Sequence, residues 1–333
     1  MRDLFQICLK CLKELIKSIS PLLYLCNKLS LKKTGFLLNY RLKPQWVREY
    51  INFLNNHHSS CKIHFLDIGS REGIEDSGIF STLRWLNNKI TYGVEPDPEE
   101  SQTLIQKHAY DKIYTDAIAG YTGEGTLYIP ESTPAFASLG IELENIKSLH
   151  LSCASFCEPM KRVPVKVKKM SEAVGSQTFD FIKLDIHGAE YDALASLDDS
   201  FFEKAICFHI ETCAIRFFKS EHLMGGLLNF MHSKCFIPLY TEPLPFDGID
   251  IWYNVTFVQN PANMTTLDQC LKHCLVGFMA NKPHYVAYIL RLWQEKFGVT
   301  PELDPIFKLL RSPIIPPFFY EKKFGAPNVI PSN

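Results

Sequence analysis

The chain has 333 residues, 46% of them hydrophobic and 21% charged, and a formal net charge of −1 at pH 7. That length and apolar content support a full core, arranged as one large domain with extensions or as two domains. The near-neutral balance excludes a general polyanion binder, so nucleic acid is not an expected partner.

The first 31 residues place Leu4, Phe5, Cys8, Leu12, Leu15, Ile16 and Ile19 at helical spacing, with Lys10, Lys13, Glu14 and Lys17 between them. Charges this frequent exclude a transmembrane helix, which needs about 20 mostly apolar residues. Pro21 interrupts the segment. Two readings stand. One is a helix packed on the domain or on a second subunit, which makes a homo-oligomer. The other is an amphipathic helix that brings residues 1–33 into peripheral contact with the inner face of a membrane. A further helix is expected over residues 44–56, with Trp46, Val47, Tyr50, Ile51 and Leu54 on one face.

The organising stretch is FLDIGSREG, residues 65–73. The apolar run 63–68 reads as a strand carrying Asp67, Gly69 and Gly73 punctuate a turn, and a helix-like segment opens near Ile74. Strand, glycine turn and helix form the first unit of a nucleotide-binding α/β sheet. The spacing Asp67-x-Gly69-x-x-x-Gly73 differs from the G-x-G-x-x-G that holds a pyrophosphate. A ligand without phosphates suits this loop better.

Residues 90–95 read as a second strand ending on Glu95, where a carboxylate can accept hydrogen bonds from both ribose hydroxyls. A helix over 99–108 then leads to a third strand over 112–119, KIYTDAIA, with Asp116 near its end. A carboxylate there can take the proton of an adenine amine, or simply be a surface acid at a strand end.

Residues 126–130 and 163–169 are two more strand-like runs. In the second, Val163, Val165 and Val167 alternate with Lys166 and Lys168. The long stretch between them, 131–159, has the length of a lid or binding loop. Its small, hydroxyl-bearing segment TPAFASLG can approach a substrate or cap the sheet.

The second decisive stretch is FDFIKLDIHGAEY, residues 179–191. Lys183, Asp185, His187 and Glu190 gather there at the C-terminal end of a buried strand, where open α/β sheets keep their chemistry. A histidine at that point can serve as a general base near neutral pH. The run 205–211 gives a fifth strand, with His209 inside the core and Glu211 ending on the side of the site as a substrate-binding candidate. After a helix over 222–232, residues 235–240 and 251–258 give the last two strands, joined by a Pro- and Asp-rich loop over 242–250. Residues 261–310 form a helical extension with Tyr285, Tyr288, Ile289, Leu292 and Trp293 as apolar positions, and a Pro-rich tail follows.

Taken together, the runs FLDIGSREG, GVEPDP, DAIAGYTGEGTLYIP and FIKLDIHGAEYDAL resemble the FkbM family of S-adenosylmethionine-dependent methyltransferases over residues 61–260. The fourth run is close to the family's K-[IL]-D-[VI]-E-G-A-E, but has His187 where glutamate is usual. The resemblance implies an α/β fold built on a Rossmann-like seven-stranded class I methyltransferase sheet, with helical extensions over 1–60 and 261–333. It implies S-adenosyl-L-methionine as cofactor and O-methylation of a carbohydrate or glycolipid acceptor. Asp67, Gly69 and Gly73 would frame the methionine end of the cofactor, Glu95 the ribose, and Asp116 with Ala117 the adenine. His187 or Asp185 would remove or orient the hydroxyl proton, with Lys183 pairing a carboxylate and Glu190 beside them.

Two alternatives stay open: an NAD-dependent sugar-modifying enzyme on a similar sheet, and a non-catalytic interaction module that keeps the fold. No metal is assigned. The spaced cysteine pairs Cys8/Cys11 and Cys153/Cys157 lack a second pair at zinc spacing, although Asp185, His187, Glu190 and Glu211 could gather around a divalent ion. Eleven scattered cysteines and no secretory signal peptide point to the reducing cytoplasm.

Overall fold

The computed structural model describes residues 45–311, apart from 75–76, 142, 149–150, 152–153, 155–157, 219–221 and 247. The N-terminal amphipathic helix, both spaced cysteine pairs and the Pro-rich tail lie outside the described residues. The chain divides into two units, Met1–Val47 and Arg48–Asn333, and the sheets belong to the second.

Helix α1 (Gln45–His57) enters this unit, and the sheet begins with β1 (Ile63–Ile68). Parallel strands covered on both faces need near-continuous apolar sequence, and β1 meets that need with five of its six residues buried. The expected helix after the glycine turn is instead a 3-10 segment, Gly78–Trp85. Its Phe80 is driven into the sheet, 4.9 Å from the Phe65 ring and 5.6 Å from Phe181. Burying one such side chain contributes about 1.5–3 kcal/mol, enough to hold a short irregular turn in place.

Next come β2 (Lys89–Val94), α2 (Pro98–Gln106) and β3 (Lys112–Tyr114). Asp97 caps α2 by accepting the Glu99 N–H at 3.1 Å, with Pro98 at the first helical position. The expected single strand over 112–119 is broken. After β3 the chain leaves the main sheet at Thr115 and Asp116, and β4 (Ala117–Ala119) joins β5 (Gly123–Pro130) and β6 (Met160–Lys169) in a separate three-stranded sheet ordered β4-β6-β5. Ala117, Ala119, Leu127, Ile129, Val165 and Val167 form its own small core. Val165 and Val167 are buried and Lys166 is exposed, as the alternation requires.

The stretch 131–159 carries a 3-10 turn, Pro134–Phe136, and a short helix α3 (Leu143–Ser148). After β6 come α4 (Met170–Val174), β7 (Phe181–Leu184), α5 (Glu190–Ala195), α6 (Asp199–Lys204) and β8 (Cys207–Cys213). Helix α7 (Met224–Ser233) leads into a long hairpin, β9 (Phe236–Phe246) and β10 (Ile249–Gln259). The Pro- and Asp-rich loop expected over 242–250 is therefore mostly strand. Pro243 and Pro245 are tolerated because β9 is an edge strand, where a missing N–H leaves no ladder bond unmade.

The main sheet runs β3-β2-β1-β7-β8-β10-β9, parallel except for β10. Strand order reverses between β1 and β7, and such switch points open a crevice at the carboxyl ends of the strands. This is the class I methyltransferase sheet.

Helices α8 (Leu267–Met279), α9 (Pro283–Phe297) and α10 (Asp304–Arg311) follow. They close the opposite side: Tyr50 donates to Leu271 O at 2.8 Å, and its ring lies 4.6 Å from Phe278. On α9 the inward face is Val286, Ile289, Leu290 and Trp293, while Tyr288 of the expected apolar set is exposed. Cys270, His273 and Cys274 are buried on α8, and His209 is buried in β8 with Nδ1 2.9 Å from the Thr256 hydroxyl. Among the described residues no helix is long and apolar enough to cross a membrane.

Candidate active site

A cavity of about 300 Å³ opens at the carboxyl ends of β1, β2 and β7. Its lining includes Gly69, Arg71, Glu95, Ala117, Lys183, Asp185 and His187. Such a volume is at the small end for a ligand pocket.

Gly69 is required by the crossing of two loops. Its φ is +80°, and a Cβ there would stand 1.9 Å from the Asp185 carbonyl oxygen. The turn after β1 and the turn after β7 are thereby pressed together. Gly73 serves elsewhere, facing Ala109 and Leu104 rather than the cavity.

Asp67 lies beneath the floor and does not line the cavity. It is 1% exposed; one oxygen accepts the Tyr110 hydroxyl at 2.6 Å and the Ser77 hydroxyl. Its other oxygen faces Lys183 Nζ at 3.4 Å, and Lys183 Nζ lies 3.1 Å from Asp185 Oδ2. Burial works against the lysine charge, but Asp185 and Asp67 overcome it and hold the pKa above its ordinary value. Burial would raise the Asp185 pKa, and Lys183 and His187 reverse this and keep it low. A buried column of alternating charge thus runs up from Tyr110 to the cavity wall.

Glu95 does line the cavity and is 3% exposed. Burial raises its pKa to about 7 in spite of Arg71. Oε1 accepts the Asp97 N–H at 2.9 Å, and among the described residues no bond to Oε2 is found. Asp116 is the third strand-end acid, and the break between β3 and β4 carries it out of the cleft. It pairs with Lys168 of β6 at 2.7 Å, while its neighbours Ala117 and Ile118 supply the lining. Of the three acids expected around one ligand, only Glu95 faces it.

His187 sits on a turn made for it. Its own φ is +55° and that of Gly188 is +103°, and a Cβ at 188 would meet Phe218 Cβ at 2.3 Å. Glu190 holds this turn from below, accepting the N–H of Ile186 and of Gly188, each at 2.9 Å. Burial raises the Glu190 pKa to about 7. Its carboxylate is used by the backbone rather than turned to the cavity.

The His187 ring stacks on Phe136 at 5.7 Å, with Phe218 at 5.3 Å and Trp252 edge-on at 5.7 Å. Its Nδ1 is 3.0 Å from Ala137 O, so Nδ1 carries a proton and donates. Nε2 stands 3.1 Å from Glu211 Oε1 and 3.6 Å from Asp185 Oδ1. Burial lowers the imidazole pKa, but Glu211 and Asp185 outweigh it and lift it to about 10. Burial in turn raises that of Glu211. The segment TPAFASLG therefore does approach the site: Ala137 holds the imidazole, and Ser138 Oγ donates to His187 O at 2.8 Å. Tyr110, Arg71 and the aromatic box escape notice in the sequence, since no local pattern marks a residue that meets the site only through tertiary packing.

The charges decide what the cavity can hold. Glu72, Glu95 and Asp185 line it, while its cations are tied up: Arg71 bonds Asp97 at 2.6 Å, Lys183 serves Asp67 and Asp185, and His187 pairs with Glu211 at 3.1 Å. A pyrophosphate would meet carboxylates and no free cation among the described lining residues. A ligand bearing an ammonium and a sulfonium meets complementary charge, and Val94, Pro96, Ile118 and Leu127 offer apolar wall for a base. S-adenosylmethionine therefore fits; Glu95 would be the residue to hold its ribose, and Asp185 would stand near its charged end.

No curated protein matches the chain. Among solved structures, the Synechocystis PCC 6803 magnesium protoporphyrin IX methyltransferase with bound SAM is 10% identical over 65% of this chain and 79% of that chain, with a TM-score of 0.34. The Burkholderia thailandensis 1,6-didemethyltoxoflavin-N1-methyltransferase, with S-adenosylhomocysteine, is 13% identical over 70% and 85%, TM-score 0.31. Human methyltransferase-like protein 13 in complex with SAH is 12% identical over 72% and 89%, TM-score 0.29. At these values the likenesses add nothing to the strand order. The methyltransferase FkbM domain model, by contrast, matches residues 67–238, just over half of the chain and all of the cavity's lining. The chain belongs to the FkbM methyltransferase family, and its methyl donor is S-adenosylmethionine.

Proposed function

We propose that this protein is an O-methyltransferase whose acceptor is a sugar hydroxyl on a glycoconjugate or polysaccharide precursor. The observation that carries this reading is a second cavity, about 650 Å³, which shares Ser138, Leu139 and His187 with the first. Tyr121, Lys169, Asp192 and Ser196 give it a polar lining, which suits a molecule rich in hydroxyls.

S-adenosylmethionine, when bound, supplies a methyl group already activated by its sulfonium. The chain's task is alignment and proton removal. Both nitrogens of His187 are engaged, Nδ1 by a carbonyl and Nε2 by two carboxylates. Asp185 is the more accessible of those carboxylates, with 28% of its side chain exposed against 13% for Glu211, and it lines the donor cavity. Asp185 is therefore the group that accepts the hydroxyl proton, and Lys183 and His187 fix its orientation. Among the described residues Cys61, Cys207, Cys235, Cys270 and Cys274 are free thiols, which supports a cytoplasmic setting.

The test is a methyl-donor assay against a panel of sugar nucleotides and glycolipid extracts, beside calorimetry with S-adenosylhomocysteine and NAD. Turnover on a hydroxylated acceptor, reduced at least ~100-fold by Asp185→Asn while S-adenosylhomocysteine still binds, is the expected result. Heat with NAD alone would refute the donor, and donor binding without turnover across the panel would favour the non-catalytic module.

A further inference from the structure

Asp185, His187 and Glu211 each bring one ligand atom to within 4.8 Å of the others. The nitrogen is 3.1 Å from the glutamate oxygen and 3.6 Å from the aspartate oxygen. These separations are close to those between neighbouring ligands around one small ion, whose bonds run about 2.0–2.2 Å. Both oxygens are buried and converge on the same nitrogen, His187 Nε2. Two buried carboxylates sharing one imidazole gather more negative charge than that single ring can neutralise.

The surroundings hold the three groups as ligands are usually held. A metal-bound histidine typically donates its other ring N–H to a carbonyl or carboxylate, which fixes the tautomer. Here Nδ1 donates to Ala137 O, and Nε2 is the nitrogen turned to the acids. The far oxygen of Asp185 is steadied by Lys183 Nζ at 3.1 Å. Phe136, Phe218 and Trp252 lock the ring plane, and the His187 side chain is only 10% exposed. Side-chain reorganisation on binding an ion would be small.

We propose that Asp185, His187 and Glu211 bind one divalent cation in place of the proton on His187 Nε2, which is released to solvent, and that its open positions receive hydroxyl oxygens of the acceptor. One imidazole and two carboxylates suit a hard-to-borderline ion, and Mn²⁺ matches that set. Asp185 then accepts the acceptor's proton through the oxygen not given to the ion. The location agrees with this role, because His187 belongs to the walls of both cavities and an ion on Nε2 sits beside the junction. Two neighbouring hydroxyls on a sugar ring can chelate such an ion, which would choose the methylated position by geometry. The cation site itself stands on the three side chains. Its role toward the acceptor rests on the carbohydrate reading above.

The experiment uses the full chain, stripped with EDTA and titrated with MnCl₂ while the electron paramagnetic resonance signal of free Mn²⁺ is followed. One equivalent should be taken up. Glu211→Gln and His187→Gln should each weaken uptake at least ~10-fold, and Asp192→Asn, altered on the pocket wall and outside the triad, should leave it unchanged. Calorimetry with S-adenosylhomocysteine on the same samples reports whether each variant is folded, because the donor cavity keeps Glu95 and Gly69. No uptake by the wild-type chain, or uptake unaffected in a Glu211→Gln variant that still binds S-adenosylhomocysteine, overturns the proposal. Mn²⁺ uptake that depends on the triad without turnover of any hydroxylated acceptor would remove the carbohydrate reading and leave the cation site standing.

Discussion

Glu95 is a carboxylate kept in a place that disfavours its charge, and its replacement by glutamine separates what it does for the ligand from what it does to the fold. Burial raises its pKa from 4.5 to about 7. The folded state therefore holds a proton that the unfolded state has already released between those two values. Stability contributed by this group is fully present below pH 4.5 and is lost as the pH rises to about 7. At about 1.4 kcal/mol per unit, the ionised carboxylate costs the ligand-free protein on the order of 3 kcal/mol above pH 7. Glu95→Gln removes the charge and keeps an oxygen to accept the Asp97 N–H. The variant should unfold later than wild type at pH 8, by several degrees in a thermal melt, and the difference should shrink towards zero at pH 4.5. Binding of S-adenosylhomocysteine should weaken about 10- to 100-fold, the worth of hydrogen bonds to a charged rather than a neutral acceptor. Melts at the two pH values and calorimetry at pH 8 check both halves. A variant no more stable than wild type at pH 8, or one that binds with unchanged affinity, would refute the reasoning.

Gly69→Ala and Gly73→Ala should separate two uses of glycine. The first forces a Cβ to 1.9 Å from a backbone oxygen, the second only to 3.5 Å from Ala109. Urea denaturation should show a loss of at least about 3 kcal/mol for Gly69→Ala and about 1–2 kcal/mol for Gly73→Ala, and equal losses would contradict the account. A pH effect is expected at His273 on α8, which burial lowers from 6.5 to about 3. A depressed histidine contributes stability that is present above pH 6.5 and lost as the pH falls towards 3. The unfolding free energy should therefore drop with acid by up to about 1.4 kcal/mol per unit more in wild type than in His273→Gln, and parallel slopes would exclude the residue as a source.

The sheet was legible because its strands are buried on both faces and so advertise themselves as apolar runs. Residues 63–68 and 207–211 needed no tertiary information. The change of sheet after Tyr114 was not legible, since KIYTDAIA is uniform in strand character and only its partners differ. Asp116 was misplaced in consequence. A strand-end position tells which edge of the sheet an acid occupies. It does not tell whether neighbours have already claimed it, as Tyr110, Ser77 and Lys183 claim Asp67. The hairpin of β9 and β10 was shortened in prospect because Pro243 and Pro245 resemble a loop, and edge status shows only when the strand order is known. The concentration of Lys183, Asp185, His187 and Glu190 was readable from spacing. The division of labour within it was not, because Glu190 turns back to the main chain and Glu211 arrives from the next strand.

Trp252 on β10 stands edge-on to His187 and packs with Phe217, Phe218 and Ile251. It lies beyond residue 238, where the family match ends. The imidazole is thus gripped from one side by Phe136, within the family match, and from the other by an indole on a hairpin that reaches past it. Trp252 touches the ring without lining the donor chamber, so the outer face of His187 is shaped by a residue that does not meet the methyl source.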